Sequence, residues 1–374
     1  MVFYKITGVS DSAAKTGLTC GATGETAVNG DYVGHLSPND PLHDFLGRIL
    51  RDQMRLDIRV VKFRAFRLHG TNEVYSYQEK YSAVRIVCKF YGSRFNSDPG
   101  RAALVAQRES DNLHTLRSYN LVGSPHHVVR PFGVHPDINC VLAVEHYAGE
   151  ELTQAIRLAT HCHDDAYLFW RLKALAYFLA TQHNRTANGD DIDFGAECDH
   201  FDPIIRKLLE RSRIGKSEAE EFSWLRGLWR DRPQMWQDRQ VLLHGDANPG
   251  NFLFGKGLRV CAIDLERMRR GDRAFDVGRV AGKLQHAFMA ATTHKNRAEP
   301  FISYFLHEYS SHLTDSSNTF DCITARTPFY MGLNLLRIAR HGHISEACGR
   351  RLVRQAKRLL AYPNVPHSQR LESP

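Results

Sequence analysis

The sequence reads Val241-Leu-Leu-His-Gly-Asp-Ala-Asn-Pro-Gly-Asn-Phe-Leu-Phe254 and, after the turn Gly255-Lys-Gly257, continues Leu258-Arg-Val-Cys-Ala-Ile-Asp-Leu-Glu266. Two short runs of β-forming residues flank the turn and predict a β-hairpin. Because a hairpin brings its two open ends together, we expect the oxygen-bearing side chains of Asn251 and Asp264 to lie close to each other.

Asp246 lies in the loop just before this hairpin, so a carboxylate is expected beside Asn251 and Asp264. Magnesium-dependent phosphoryl transfer needs hard oxygen ligands for the ion and a carboxylate that orients and deprotonates an attacking hydroxyl. The alternative is a chance assembly of a surface turn, a helix N-cap and an exposed hairpin. Several polar residues at fixed offsets inside apolar flanks favour the phosphoryl-transfer interpretation.

The run His-Gly-Asp-x4-Asn followed by Ile-Asp-x-Glu resembles the catalytic and metal-binding loops of the aminoglycoside phosphotransferase and choline kinase-like family. These proteins are distant relatives of protein kinases, which carry Arg in place of the glycine. The resemblance implies that Asp246 is the catalytic base and that Asn251 and Asp264 hold Mg²⁺. It also implies that His244 braces the loop and that Glu266 stands near the metal.

The run Gly271-Asp-Arg-Ala-Phe-Asp-Val277 matches a further segment of the family. By resemblance, Asp276 opens a helix and hydrogen-bonds the backbone of the catalytic loop. The alternative is that Asp272 and Asp276 are plain helix N-caps.

Lys89 and Glu109 form the candidate nucleotide site in the N-terminal half. A kinase needs a strand lysine for the nucleotide phosphates and a helix glutamate that positions it. Lys89 lies in the β-rich run 84–91, and Glu109 falls in the apolar stripe of the helix predicted over 99–119. A carboxylate on a buried helix face is costly unless it is paired, so the sequence predicts a Lys89–Glu109 ion pair.

The segment Val141–Gly149 resembles the hinge of such enzymes, where a strand end could pair with adenine. Glu145 and Tyr147 are therefore candidate nucleotide-binding residues. A strand that simply leaves a sheet edge explains these two side chains equally well. The turn 68–72 has a single glycine, unlike the Gly-rich phosphate loop of protein kinases, and leaves the phosphate-loop contacts unassigned.

The pattern of elements predicts an α+β fold with two lobes, and the family resemblance implies that this fold is protein-kinase-like. An irregular N-terminal extension is expected over 1–40, and further along the chain a strand is expected over 127–134 and a helix over 202–212. The small N-terminal lobe, 41–145, would hold an antiparallel sheet with one helix, and the larger helical lobe, 146–374, would carry the catalytic loop.

Composition is that of an ordinary globular protein, with 43% hydrophobic and 24% charged residues. No apolar run is long enough to span a membrane, and no signal peptide is evident, so a cytoplasmic protein is expected. The net charge of +8 suits anionic partners, but nucleic acid is not expected because charge alone supports it. Eight Lys or Arg residues and two Glu residues occupy 337–374, which is typical of a solvated helix face.

The resemblance implies transfer of a phosphoryl group from ATP, with GTP as the alternative donor, to a hydroxyl of an amino sugar, an aminoglycoside-like molecule, an amino alcohol or a sugar. A kinase of an envelope or lipid sugar or of a protein, and a non-catalytic nucleotide-binding scaffold, stay as alternatives. An acidic stretch could favour a cationic acceptor, although a solvated acidic loop explains it better. Its carboxylates are Asp190, Asp191, Asp193, Glu197, Asp199 and Asp202. The sequence gives no oligomeric state.

Overall fold

The computed structural model describes residues 30–68, 73–95, 98–291, 296–314 and 320–361. The chain divides into two compact units. Unit 1 comprises Met1–Arg117 and Val129–Ala148, and unit 2 comprises Ser118–Val128 and Gly149–Pro374.

Strands and helices alternate in the first part of the described chain, and helices dominate the second. The strands are β1 (Asp31–His35), β2 (Phe63–Arg67), β3 (Glu73–Glu79), β4 (Arg85–Phe90), β5 (His126–Val128), β6 (Pro131–His135), β7 (Val141–Glu145), β8 (Glu150–Glu151), β9 (Val241–Leu243), β10 (Phe252–Phe254), β11 (Val260–Ala262) and β12 (Arg269–Gly271). The α-helices are α1 (Pro41–Arg48), α2 (Pro99–Ser118), α3 (Leu152–His161), α4 (Asp165–Thr186), α5 (Phe194–Glu210), α6 (Lys216–Arg230), α7 (Ala274–Ala291), α8 (Glu299–Ser311), α9 (Phe320–Ala339) and α10 (Glu346–Ala361). Among these described helices, none is long and apolar enough to cross a membrane.

Unit 1 is built on a six-stranded antiparallel sheet with the order β1-β2-β3-β4-β7-β6. Alternation along β4 sends Ile86, Cys88 and Phe90 into a core that α1 also covers. The Asp40 side chain caps α1 by accepting a hydrogen bond from the Leu42 N–H at 2.9 Å.

Helix α2 begins as its sequence predicts. Pro99 is the first helical residue, and Asp98 Oδ1 accepts a hydrogen bond from the Arg101 N–H at 2.9 Å. The buried face of the helix includes Ala106, Glu109 and Leu113, so a carboxylate does lie within the apolar stripe.

Unit 2 contains the helices from α3 onward and two small sheets. The first has the order β5-β11-β10-β8, with β5 parallel to β11, and the second pairs β9 with β12. The predicted hairpin is present as β10 and β11, with Phe252 opposite Ala262. This register places the ends of both strands beside the loop that follows β9.

A buried network of ion pairs holds the segment before β9 against the start of α7 and against α9. Arg273 lies 3.0 Å from Asp238, and Arg326 contacts both Asp238 and Asp272, the latter at 3.3 Å. The Tyr330 hydroxyl donates to Asp272 at 3.0 Å. Because each buried charge has an opposite partner, the network is tolerated in the interior and fixes the segment that enters β9.

Three boundaries differ from the expectation. The irregular extension expected over 1–40 is wrong for Asp31–His35, which form β1; residues 1–29 lie outside the described part of the chain. A bulge between Tyr32 and Gly34 breaks the strict alternation that identifies a strand. The single strand expected over 127–134 is two strands in different sheets, because β5 pairs with β11 whereas β6 pairs with β7.

The helix expected from 202 begins eight residues earlier, at Phe194. The Asp193 side chain accepts a hydrogen bond from the Ala196 N–H and supplies the N-cap. Pro203 lies inside this helix, and the break it signals in the sequence does not occur.

Candidate active site

The candidate catalytic loop runs from the end of β9 to the start of β10 and turns at Gly245. This glycine has a φ of +76°, which disfavours other residues. A Cβ atom added there would lie 2.0 Å from the backbone oxygen of Arg267. The backbone of the segment before β12 therefore occupies the space that a side chain at position 245 would need.

Asp276, in the first turn of α7, holds this turn through its carboxylate. Its Oδ2 accepts a hydrogen bond from the His244 N–H at 2.6 Å, and its Oδ1 accepts one from the Gly245 N–H at 3.1 Å. The predicted bond between Asp276 and the loop backbone is thus present. Such paired charge-assisted bonds fix the loop direction more strongly than neutral ones would.

His183 and Tyr309 orient the side chain of Asp276. His183 Nε2 lies 3.3 Å from Asp276 Oδ2, and His183 Nδ1 lies 2.7 Å from the Tyr309 hydroxyl. Burial lowers the pKa of His183, so the ring is neutral; Nε2 donates to the carboxylate and Nδ1 accepts from the tyrosine. Burial alone would raise the pKa of Asp276, but the bonds from His183 and His244 outweigh it and keep that pKa below its ordinary value.

His244 connects the loop to the end of the hairpin. Burial lowers the pKa of His244, and its neutral ring donates from Nε2 to the Ile263 carbonyl at 3.0 Å. The Ile263 N–H in turn donates to the Asn251 carbonyl at 3.0 Å. These bonds bring Asn251 and the residue before Asp264 to the same point, as the hairpin predicts.

Asp246 projects from the loop with 13% of its side chain exposed. Its backbone carbonyl accepts a hydrogen bond from Asn251 Nδ2 at 2.8 Å. Its carboxylate accepts hydrogen bonds from Asn248 and from Arg279, and Arg267 Nε lies 3.7 Å from Oδ2. The candidate base is therefore held in place and is surrounded by positive charge.

The donor set at the end of the hairpin fits a hard divalent cation. Asn251 uses its amide nitrogen for Asp246, so its amide oxygen points the other way and can act as a ligand. Asp264 stands beyond β11 with a φ of +65°, an unusual conformation for a residue other than glycine. A carboxylate and an amide oxygen are the ligand types that Mg²⁺ takes in proteins. Glu266, 3.6 Å from Arg267 Nε, lies two residues further on.

In unit 1, the predicted ion pair is present. Lys89 Nζ lies 2.6 Å from Glu109 Oε1, with 11% of the lysine and 1% of the glutamate side chain exposed. The Tyr91 hydroxyl donates to the other carboxylate oxygen. Both oxygens of Glu109 thus have donors, which compensates the burial of the carboxylate.

The two hinge candidates lie at the end of β7 in unit 1. The Glu145 N–H donates to the Arg130 carbonyl at 2.8 Å, and its carboxylate accepts from the Arg130 N–H at 3.1 Å. Tyr147 is half-buried two residues further on. Of the unassigned phosphate-loop turn, only Leu68 lies within the described residues.

Arg279 is the site residue that sequence reasoning missed. It lies three residues after Asp276 on α7, and its side chain is 7% exposed. The signal was present in the sequence, because Arg279 interrupts a helix whose neighbours Val277, Val280 and Leu284 are apolar. The reasoning that found Glu109, a charge on a buried helix face, applies equally to this arginine.

The chain matches the model of the phosphotransferase enzyme family over residues 71–314. Its fold is similar to that of an ethanolamine kinase from Plasmodium vivax, with a TM-score of 0.53 and 11% identity over 87% of this chain and 88% of the other. It is also similar to a candidate fructosamine-3-kinase from Haemophilus somnus, with a TM-score of 0.52 and 14% identity over 83% of this chain and 96% of the other. A comparison with curated proteins finds no significant match. The structural likeness identifies the fold as α+β and protein-kinase-like, as the sequence predicts.

Proposed function

Because the chain belongs to the phosphotransferase enzyme family, we propose that it transfers the γ-phosphoryl group of ATP to a hydroxyl of a small molecule. The observation that supports this most directly is the loop from His244 to Asn251, which Asp276 holds so that Asp246 projects from it. A non-catalytic scaffold would not require such a supported carboxylate.

In the proposed reaction, Asp246 orients the acceptor hydroxyl and takes its proton. The hydroxyl oxygen forms a bond to the γ-phosphorus, and the bond from that phosphorus to the bridging oxygen of ATP breaks to leave ADP. Arg279 acts as a positioning residue because it bonds the carboxylate of Asp246.

Asn251 and Asp264 would hold Mg²⁺, which when bound neutralises charge on the nucleotide phosphates. Their positions are fixed by the pairing of β10 with β11 and by the Asn251–Asp246 hydrogen bond.

Lys89 is proposed to bind the nucleotide phosphates, with Glu109 and Tyr91 fixing its position. A lysine held by a buried carboxylate has a defined position from which its ammonium group can attract a phosphate. Glu145 and Tyr147 are proposed to border the nucleotide base, because the segment 141–149 resembles the hinge of such enzymes.

The test is phosphoryl transfer from ATP with magnesium by the wild type, by Asp246→Asn and by the control Asp231→Asn. Asp231 is exposed at the end of α6 and carries the same charge. Acceptors are pooled amino sugars, amino alcohols, sugars, sugar phosphates and hydroxy acids, and products are read by mass spectrometry.

A product that disappears in Asp246→Asn and persists in Asp231→Asn is the expected result. Transfer that Asp246→Asn leaves unchanged would refute the assigned base. No product from any pool together with normal MgATP binding would favour a protein or envelope acceptor. No product and no MgATP binding would mean that the chain is a scaffold.

A further inference from the structure

A cluster of basic side chains surrounds the candidate base in unit 2. Arg279 and Lys283 lie one helical turn apart on α7, so they share a face. Helix α9 packs closely on that turn: Asn334 Nδ2 donates to the Arg279 carbonyl at 3.2 Å, and a Cβ added to Gly282 would lie 2.8 Å from the same nitrogen. Arg337 follows Asn334 by one turn and is close enough to Lys283 and Arg279 for their charges to interact.

Among the described residues, the carboxylate of Asp246 acts on all three cations, and that of Asp276 acts on Arg279. Arg279 binds Asp246 with one nitrogen, but its buried Nε and Nη1 have no hydrogen-bond partner among the described residues. The side chains of Lys283 and Arg337 form no hydrogen bond and no ion pair with any described residue. Both of those side chains are half-buried.

Burial is the main reason that the pKa values of Arg279, Lys283 and Arg337 are all lowered, and repulsion from neighbouring cations adds to it. Further positive charge comes from Arg267 and Arg340, which both act on Arg337. A buried or half-buried cation is costly without a partner. Such an arrangement is typical of a site whose missing counter-charge arrives with a ligand.

The acidic stretch that could favour a cationic acceptor has a different character. Most of its carboxylates already bind groups of the protein itself. The contacts are Asp191 with Arg239 at 3.4 Å, Asp193 with the Ala196 N–H at 3.3 Å, Glu197 with Arg269 at 2.6 Å, and Asp202 with Arg226. These contacts leave less negative charge for a cationic acceptor than the sequence suggests.

We propose that the acceptor carries an anionic group, a carboxylate or a phosphate, in addition to the hydroxyl that is phosphorylated, and that Arg279, Lys283 and Arg337 bind this group. The proposal rests on the proposed function above. Since Arg279 contacts Asp246 itself, the anion is only a few bonds from the reacting hydroxyl. Small hydroxy acids and sugar phosphates meet this requirement, and a neutral sugar or an amino alcohol does not.

The first experiment measures binding without catalysis. Thermal unfolding midpoints are recorded with inorganic phosphate, gluconate or glucose at constant ionic strength, for the wild type, Lys283→Met, Arg337→Gln and the control Arg354→Gln. Arg354 is an exposed cation on α10. MgADP binding is measured on the same four proteins.

We expect phosphate, gluconate or both to stabilise the wild type and Arg354→Gln more than glucose does, and the preferred anion identifies the group. Lys283→Met and Arg337→Gln should bind that anion about tenfold or more weakly, because each loses a charge-assisted contact. Their MgADP affinity should stay at the wild-type value. The proposal would be overturned by equal anion binding in all four proteins, by no anion effect on the wild type, or by parallel loss of MgADP binding, which would assign the cluster to the nucleotide.

The second experiment compares acceptors in matched pairs, namely glucose with gluconate, glycerol with glycerol 3-phosphate, and glucosamine with its 6-phosphate. The anionic member should have the higher kcat/KM, and Lys283→Met should raise its KM without changing the KM for ATP. Transfer confined to the neutral or cationic members would refute the proposal. Absence of transfer to every compound would count against the proposed function, while the binding experiment still decides whether the anion site exists.

Discussion

Replacing Asp276 by Asn tests whether this residue holds the candidate catalytic loop. The substitution keeps the shape of the side chain but removes its charge and one acceptor oxygen. In the wild type, the two oxygens accept from the His244 N–H at 2.6 Å, the Gly245 N–H at 3.1 Å and His183 at 3.3 Å. In the variant, the amide nitrogen must face at least one of these donors.

The expected loss of stability follows from these contacts. The best amide orientation keeps its oxygen toward His244 and His183 and leaves the buried Gly245 N–H unsatisfied, at a cost of about 1–3 kcal/mol. The two bonds that remain lose their charge, at roughly 1 kcal/mol each. The free energy of unfolding should therefore fall by about 3–5 kcal/mol. For a unit of this size, that lowers the melting temperature by roughly 6–20 °C.

The assay is denaturant unfolding of the wild type, Asp276→Asn and the exposed control Asp231→Asn, followed by steady-state kinetics. The control should change stability by less than about 0.5 kcal/mol. In Asp276→Asn, kcat should fall by more than the KM for ATP rises, since the variant misplaces Asp246. Equal unfolding midpoints for the two variants would refute the reasoning. They would mean that the Asp276 carboxylate accepts no hydrogen bond that contributes to the free energy of unfolding.

The pH dependence gives this comparison a second readout. The folded-state pKa of Asp276 is below its ordinary value of 3.8, so its contribution to stability is present above pH 3.8 and is lost as the pH falls through the folded-state pKa. The difference in unfolding free energy between wild type and Asp276→Asn should therefore narrow below about pH 4. A difference that stays constant to lower pH would indicate that the charge of Asp276 contributes nothing.

Two further substitutions test the other parts of the site. Glu109→Gln should raise the KM for ATP and destabilise unit 1, because Lys89 stays buried without its counter-charge and Tyr91 loses a charged acceptor. ATP titration measures the first effect and thermal unfolding the second. An unchanged KM for ATP would contradict the role assigned to Glu109. Gly245→Ala should lower kcat about tenfold or more and reduce the free energy of unfolding by about 1–3 kcal/mol, because a Cβ at a φ of +76° would collide with the Arg267 carbonyl. A variant with the kinetics and stability of the wild type would show that the turn is not constrained.

The parts of the site that the sequence predicts depend on short-range geometry. A β-hairpin necessarily brings Asn251 next to the residue across from it, so the convergence with Asp264 needs no knowledge of the remaining fold. The Lys89–Glu109 pair follows from a similar local argument, since a carboxylate in the apolar stripe of a helix requires a partner. The same argument applied to Arg279 would have added it to the site.

The fold boundaries that were missed depend on pairing between distant segments. β1 is a strand because it pairs with β2, more than twenty residues further along the chain, and its bulge at Gly34 hides the alternation. Likewise, the chain from 126 to 135 belongs to two sheets, and only the partners of each strand show where one ends. Local propensity does not contain this information.

The basic C-terminal region shows that the role of a charged residue depends on how its helix packs. In the sequence, 337–374 contains more Lys and Arg than Glu, which predicts a solvated helix face. In the structure, Arg350 and Lys357 fit that interpretation, because they pair with Glu346 and Glu221 on the surface. Arg337 does not, because it is half-buried near Lys283 and its side chain forms no ion pair with any described residue. Identical residue types in one stretch thus form surface ion pairs at one position and, in our proposal, bind the acceptor at another.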